Sequence, residues 1–307
     1  MNIDIGVVIV TFNRKNDLQK ALKCYEEQSV PPKYLVVVDN NSTDGTDEIL
    51  KEWSQTKNNF EKYLISLPQN IGGSGGFYTG LEKAMDLEAD WIWVADDDAF
   101  PENDVIEKAV KFIEKESDIE KISAVCGAVI NNGEIDLNHR RKLKCGFLTI
   151  EQLPIEKENY NKEYFDLELF SYVGSIINKN KMKKVGLPEK DYFIFYDDTE
   201  HSLRLADVGR IVCVPEIKIY HNVPIEPDNI NWKSYYSIRN RLNFIKRHFP
   251  KRYYLYLLNK LKVSIFARKV LKPDKVYISL IKSAVNDEIN GNLGLNNVYK
   301  PGWKYIK

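Results

Sequence analysis

The run Trp91-Ile92-Trp93-Val94-Ala95-Asp96-Asp97-Asp98 constrains the fold of this chain more than any other stretch. Five apolar residues without alternation suit a strand buried on both faces, the signature of a parallel sheet covered by helices. In open sheets of that kind ligands collect just beyond the carboxyl ends of the strands, so the three aspartates stand where a site is expected. Asp96 and Asp98 are two apart, so in an extended segment they point the same way and can grip one hard cation, while Asp97 points away. Such a pair can hold Mg²⁺ or Mn²⁺ against a diphosphate. The bland alternatives are a solvated acidic turn, or Asp98 as a cap for the helix that Pro101 opens.

The preceding chain repeats the pattern. Ile5–Thr11 is continuously apolar until its last residue, and Asn13 can cap a helix to about Glu27 with Leu18, Ala21, Leu22 and Tyr25 on one face. Leu35–Val38 ends at Asp39, and the polar turn Asn40–Thr46 leads to a helix near Asp47–Trp53. A third strand, about Lys62–Leu67, gives way to Pro68-Gln69-Asn70-Ile71-Gly72-Gly73-Ser74-Gly75-Gly76. Strands alternating with helices imply right-handed crossovers and a doubly wound, mostly parallel sheet, with Thr11, Asp39 and Asn70 on the same edge as Asp96. The glycine run opens a helix with Phe77, Leu81, Ala84 and Met85 on one face. Glycines there let backbone approach a ligand, and a helix N-terminus favours anions. The alternative is a flexible connector. Neither a Walker loop nor a dinucleotide fingerprint is present.

After a helix at Asn103–Glu116 and a strand at Ile122–Ile130, residues 131–166 read as an irregular excursion with a hairpin near Lys144–Thr149. Regular signals resume at Phe170–Ile177. Tyr192–Tyr196 reads as an aromatic strand ending in Asp197-Asp198, followed by a helix at Thr199–Val208 and strands Ile211–Val214 and Ile217–Tyr220 that lead to His221. His139, His201 and His248 read as surface or packing residues.

Composition bounds the class. With 307 residues, 43% of them hydrophobic, the chain buries a real core. No apolar run approaches the roughly 20 residues of a membrane span, and the first residues lack a signal peptide's basic start and cleavage site, so the expected location is cytoplasmic. Cys24, Cys126, Cys145 and Cys213 read as reduced thiols. A net charge of zero hides a division: residues 1–230 hold 27 Lys+Arg against 41 Asp+Glu, and residues 231–307 hold 17 against 3. The basic end wants an anionic partner, whether a membrane surface, a nucleic acid or the acidic part of the molecule itself.

Taken in order, Thr11-Phe12-Asn13-Arg14, Asp39 in Val-Asp-Asn-Asn-Ser-Thr-Asp-Gly-Thr, Asn70-Ile-Gly-Gly-Ser-Gly-Gly-Phe77, Asp96-Asp97-Asp98, Asp197-Asp198-Thr-Glu-His-Ser-Leu-Arg204 and His221 resemble an inverting family-2 glycosyltransferase with the GT-A fold. The Asn-x-Gly-Gly-x-Gly-Gly-Phe loop with a triple aspartate is most similar to bacterial galactofuranosyltransferases, whereas rhamnosyltransferases read closer to Asn-x-Gly-Phe. The resemblance spans Ile5 to Phe249.

It implies a catalytic domain over 1–230 and a mainly helical, basic extension over 231–307. Thr11, Phe12, Arg14, Asp39, Asn70, Gly72, Gly73, Asp96 and Asp97 would bind the nucleotide sugar, and Asp96, Asp98 and His221 would hold Mn²⁺ or Mg²⁺. Asp198 would be the general base, with Asp197 beside it as cap or orienting group. Tyr235-Tyr236-Ser-Ile-Arg239-Asn240-Arg241 resembles an element that packs behind the site, with Arg239 or Arg241 directed towards phosphate. The reaction implied is transfer of galactofuranose from UDP-galactofuranose to a hydroxyl of a surface glycan or lipid-linked glycan precursor; rhamnose from a dTDP donor is the runner-up. Residues 251–275, with eight basic residues and one acid, suit peripheral contact with an anionic membrane or packing on the catalytic part or in a homo-oligomer. No nucleic acid is implied as partner. The rivals from other classes are a sugar-phosphate nucleotidyltransferase, which would carry a Gly-rich triphosphate loop after the first strand, and a sugar-nucleotide or nucleic-acid binding module, which gives Asp198 no role.

Overall fold

The computed structural model describes residues 3–146, 149–223, 230–258 and 275–305. Three continuous apolar runs and one more polar edge strand pair in parallel: β1 (Ile5–Thr11), β2 (Tyr34–Asp39) and β4 (Trp91–Asp96), with β3 (Glu61–Ser66) on the edge. Between them cross α1 (Lys15–Glu26), α2 (Thr46–Gln55) and α3 (Gly72–Asp86). The register places the strand ends abreast: Thr11 pairs with Asp39, Val10 with Asp96, and Asp39 with Ser66.

Then follow β5 (Phe100–Pro101), α4 (Val105–Lys115), β6 (Ile122–Asn131), β7 (Glu134–Ile135), β8 (Arg140–Cys145), β9 (Ile150–Pro154), β10 (Phe165–Leu167), β11 (Leu169–Phe170), β12 (Ser175–Asn178), α5 (Lys179–Val185), α6 (Asp197–Ala206) and β13 (Arg210–Tyr220). The ten-stranded sheet runs β10-β13-β6-β12-β4-β1-β2-β3, with β5 on β13 and β7 on β6.

Alternation along β1 divides the core. Val7 and Ile9 pack with Leu18, Ala21, Leu22 and Tyr25 of α1, and the Tyr25 ring meets Trp93 edge-on at 5.1 Å. Val8 and Val10 pack on the other face with Phe77, Leu81 and Ala84 of α3. Burying each such Val, Leu or Phe contributes about 1.5–3 kcal/mol. The glycines of α3 set its distance from the sheet: a Cβ at Gly76 would stand 2.5 Å from Val10 Cγ1, and one at Gly80 2.5 Å from Val8 Cγ1.

The regular signals at Phe170–Ile177 resolve into two short strands, because Gly174 turns the chain between them with φ +66°. Phe170 belongs to a three-stranded sheet β11-β8-β9, and β12 enters the central sheet antiparallel to both β4 and β6. Two expectations change. Residues 131–166 are not irregular: they contain β7 to β10, with the β8–β9 hairpin closed by Gly146 N donating to Thr149 O at 2.9 Å. Buried Arg140 ties this small sheet to the large one by donating to Gly127 O at 2.9 Å and Val173 O at 2.7 Å. Tyr192–Tyr196 is not a strand either. A 3₁₀ turn at Lys190–Tyr192 runs into a loop with φ of 68°, 67° and 73° at Phe193, Phe195 and Tyr196, which no strand pairing accommodates.

Beyond β13, α7 (Trp232–His248) begins with a reciprocal cap between Asn231 and Ser234, residues 250–258 are helical, and α8 (Lys275–Ile289) packs on α7. Residues 259–274, most of the basic stretch assigned to a membrane surface, lie outside the described residues. The extension shares its core with the rest: Leu242, Phe244 and Ile245 pack with Ile150, and Tyr235 and Tyr236 with Phe193. Among the described residues no helix is long and apolar enough to cross a membrane.

Gly80→Val is expected to lower stability by about 1–3 kcal/mol in urea denaturation, by forcing α3 off β1. Gly73→Ala, whose Cβ meets nothing within 4 Å, should change it by less than about 0.5 kcal/mol. Equal stability of both variants would remove the packing argument.

Candidate active site

The aligned strand ends open on a cavity of about 510 Å³. Thr11, Phe12, Arg14, Asn70, Gly72, Gly73, Asp96, Asp97, Asp98 and His221 all line it. The strand-end positions of Thr11 and Asp96 follow from the pairing of β1 with β4; the chain then turns, so Asp97 and Asp98 leave the sheet. Asp96, Asp98 and His221 each offer a ligand atom within 4.8 Å of the others. Asp97 points elsewhere, accepting from Thr11 Oγ1 at 2.7 Å and lying 3.8 Å from Arg14 Nε.

The electrostatics follow from burial and crowding. Asp96 is pushed up to about 6 by burial and then by Asp98. Asp97 is pushed up to about 7, again by burial first. Burial would raise Asp98 too, but His221, bonded to it through Nε2 at 3.0 Å, and Arg14 outweigh that and hold it below the usual carboxylate range. Burial would lower His221, and its bond to Asp98 instead raises it. His221 Nδ1 is buried with no hydrogen-bond partner among the described residues. Two carboxylates and an imidazole converging from a buried wall fit a hard or borderline divalent cation such as Mn²⁺ or Mg²⁺.

The glycine segment forms the opposite lip. It lies inside α3 rather than before it, and Gly72, with φ +80°, fits where a Cβ would stand 2.0 Å from Phe193 O. Asn70 Oδ1 accepts from Gly72 N at 2.8 Å. Asn40 accepts from Ile71 N and donates to Gly72 O, both at 2.9 Å. Asp39 does not line the cavity; it is buried and accepts from Ser42 N at 3.0 Å, shaping the turn while its neighbour Asn40 reaches the wall. Asn13 caps nothing: with φ 54° it accepts from Thr43 N at 2.7 Å, joining the first and second strand-end loops.

Asp197 and Asp198 are the first residues of α6, after the 193–196 loop instead of at a strand end. Neither lines the cavity, but their charges reach it: Asp96 is raised in part by Asp198, and Asp197 in part by Asp96. Asp197 is buried and pushed up to about 8, by burial first and then by Asp198. Asp198 is half-buried, and its Oδ1 accepts from Thr199 Oγ1 at 3.1 Å.

Sequence reasoning missed the upper wall: Asn40, Phe193, Ile194, Phe195, Val223, Trp232, Lys233 and Pro301. The polar run after Asp39 offered a signal for Asn40; Trp232, Lys233 and Pro301 come from the distant extension and carried none. Arg239 and Arg241 do not face the cavity. Arg239 is buried and donates to Gly294 O at 2.7 Å and Tyr192 O at 3.0 Å, and Arg241 to Ile150 O at 3.0 Å. His201 is fully buried, bonded to Tyr172 Oη at 2.9 Å. His139 stands edge-on to the His221 ring at 5.5 Å.

Residues 6–186 match the family described as Glycosyl transferase family 2. A galactofuranosyltransferase GlfT1 from Mycolicibacterium smegmatis is 26% identical over 205 residues, 67% of this chain and 66% of that protein. The dTDP-rhamnosyl transferase RfbF of Shigella flexneri is 25% identical over 268 residues, 81% of this chain and 83% of that one. Among solved structures, GalNAc-T7 with UDP, GalNAc and Mn²⁺ superposes with a TM-score of 0.59 at 16% identity, covering 80% of this chain and 48% of that chain. The fold is α/β of the GT-A type, with a largely parallel central sheet.

A carboxyl whose pKa is raised by folding holds its proton more tightly in the fold than in the unfolded chain. The resulting penalty is absent below about pH 4 and grows until the pH passes the folded value, about 8 for Asp197. In EDTA, Asp197→Asn is therefore expected to gain at least about 1 kcal/mol over the unsubstituted protein at pH 8 and little at pH 4. Denaturant melts at the two pH values measure this, and a pH-independent difference would contradict it.

Proposed function

The chain belongs to glycosyl transferase family 2, and from that premise we propose that it is a metal-dependent inverting glycosyltransferase, moving galactofuranose from UDP-galactofuranose to a hydroxyl of a surface glycan or lipid-linked precursor. The observation that carries this reading is the convergence of Asp96, Asp98 and His221 on one wall of the cavity, near enough to Asp198 for its charge to raise Asp96. Residues 1–230 would supply donor and metal binding. The extension 231–307 would complete the wall through Trp232, Lys233 and Pro301.

Thr11, Phe12, Asn70, Gly72 and Gly73 would receive the nucleotide sugar, with Asp39 acting through the turn it shapes. Arg14 would shift between Asp98 and the donor phosphates. Asp96, Asp98 and His221 would hold the cation, which when bound neutralises charge gathering on the departing nucleoside diphosphate. An inverting transfer needs a base on the face opposite the leaving group. Burial and then Asp198 push Asp197 towards its protonated form, so the more open Asp198, at a helix N-terminus, is the better candidate to accept the hydroxyl proton. GlfT1 supports the galactofuranose reading. RfbF, matched over more of the chain, supports dTDP-rhamnose as a second one.

A donor panel with Mn²⁺, scored for nucleoside diphosphate release, separates the two. With the donor that turns over, Asp98→Ala and EDTA should each abolish activity, the latter reversibly. Asp198→Asn should cut turnover about 10²-fold or more while nucleotide binding by calorimetry stays near wild type. Full turnover in EDTA would sink the metal, and an active Asp198→Asn the base.

Residues 251–275 are proposed to rest on an anionic membrane. Supporting this are the eight basic residues there and the exposed Tyr254, Leu255 and Leu258 on the helical stretch 250–258. Co-sedimentation with anionic vesicles should then fall steeply between about 50 and 500 mM salt; binding that ignores salt would point to packing or oligomerisation instead.

A further inference from the structure

We infer that Asn240 is a positioning residue for the transfer reaction: its side-chain amide clamps the 192–196 loop in the backbone form that fixes where Asp197 and Asp198 begin α6. The inference rests on the proposed role of Asp198 as base.

The loop is strained. At Phe193 the backbone has φ 68° and ψ −56°, and Ile194 N donates to Tyr192 O at 2.8 Å, which makes a γ-turn of the rare hand. Phe195 and Tyr196 follow at φ 67° and 73°. None of the three is Gly or Asn, the residues that tolerate such angles. Conformations of this kind persist only where the surroundings over-determine them, and they gather at functional sites.

Here the surroundings are supplied by α7. Asn240 is completely buried, and the two N–H groups of its Nδ2, one of them shared, donate to the carbonyls of Tyr192, Ile194 and Phe195 at 2.9, 2.9 and 3.0 Å. An extended run would send successive carbonyls to opposite sides, so three of them meeting one nitrogen is a product of the left-handed turns, and relaxing the turns would strand the amide. Arg239 orients that amide, donating through Nε to Asn240 Oδ1 at 3.0 Å, and adds a bond to Tyr192 O at 3.0 Å. On the other side Ser74 N donates to Phe193 O at 3.2 Å. Tyr196 is the residue from which α6 starts, so its handedness sets the direction in which Asp197 and Asp198 leave. Phe193, Ile194 and Phe195 line the cavity itself. The clamp therefore joins the C-terminal extension to both the glycine lip and the carboxylates.

The test is a double-mutant cycle on the full chain with the UDP- or dTDP-sugar that the donor panel selects. Asn240→Ala should lower kcat about 10-fold or more, leave UDP·Mn²⁺ affinity within about twofold, and cost less than about twofold in an Asp198→Asn background, because a positioning residue acts through the group it positions. An equal loss in both backgrounds, or weakened UDP binding with unchanged kcat, would overturn the clamp. So would a crystal structure of Asn240→Ala in which residues 193, 195 and 196 keep positive φ. Should Asn240→Ala not fold, Asn240→Asp keeps the shape, removes the donors, and is held to the same readouts. If Asp198→Asn proves fully active, the base assignment fails separately, and the cycle is run against Asp197→Asn, where an undiminished Asn240 effect overturns the clamp.

Discussion

Crowding of three carboxylates in one cavity, with two more close enough to feel their charge, is the constraint to which the rest of the structure answers. Asp96, Asp97 and Asp197 sit well above the ordinary carboxylate range, each through burial first and through its acidic neighbours next. Like charges gathered in a low dielectric oppose folding, and single partners offset this only in part: Thr11 for Asp97, Arg14 and His221 for Asp98. A site of this kind gives up stability for the capacity to receive a cation and a phosphorylated ligand. It can exist only on a frame stiff enough to withstand the repulsion.

The parallel register of β1 with β2 and β4 is that frame. It sets Thr11, Asp39 and Asp96 side by side, and the buried side chains of β1 and β2 leave the strands no freedom to slip. Glycines bring α3 down onto β1 until its N-terminal turn meets the 193–196 loop, so Gly72 lies against Phe193 O without room for a side chain. The two lips of the cavity thus touch, and a change in either is transmitted to the other.

The sequence was most legible where local pattern and tertiary role coincide. Unbroken apolar runs declared β1, β2 and β4, and an aspartate or threonine at the end of each declared the edge. Alternation in an extended segment pairs Asp96 with Asp98 in sequence, whereas in the structure a turn after Asp96 brings them together. Legibility failed where distant partners override local preference. Tyr192–Tyr196 has the composition of a strand, but Arg239 and Asn240, more than forty positions away, hold it in left-handed turns. Choosing Asn40 over Asp39 for the wall depends on the twist of a turn that no periodicity reports. Arg239 seemed suited to phosphate because its charge is visible in sequence, whereas the backbone carbonyls it serves are not.

The division of charge along the chain has a structural meaning in the same region. Glu200 lies on α6 three positions after Asp197 and is fully buried; burial would raise its carboxyl, but His248, Arg204 and Arg247 hold it down at about 2. Two of those partners, Arg247 and His248, come from the basic extension, and Arg247 also pairs with Glu189. Removing one partner from such a buried cluster leaves the others uncompensated, so the helix that carries Asp197 and Asp198 is pinned along its length as well as at its start. Part of the positive charge of residues 231–307 is therefore committed inside the molecule, to fixing where the acids of α6 stand. Only cations beyond that cluster remain available to an external anionic surface.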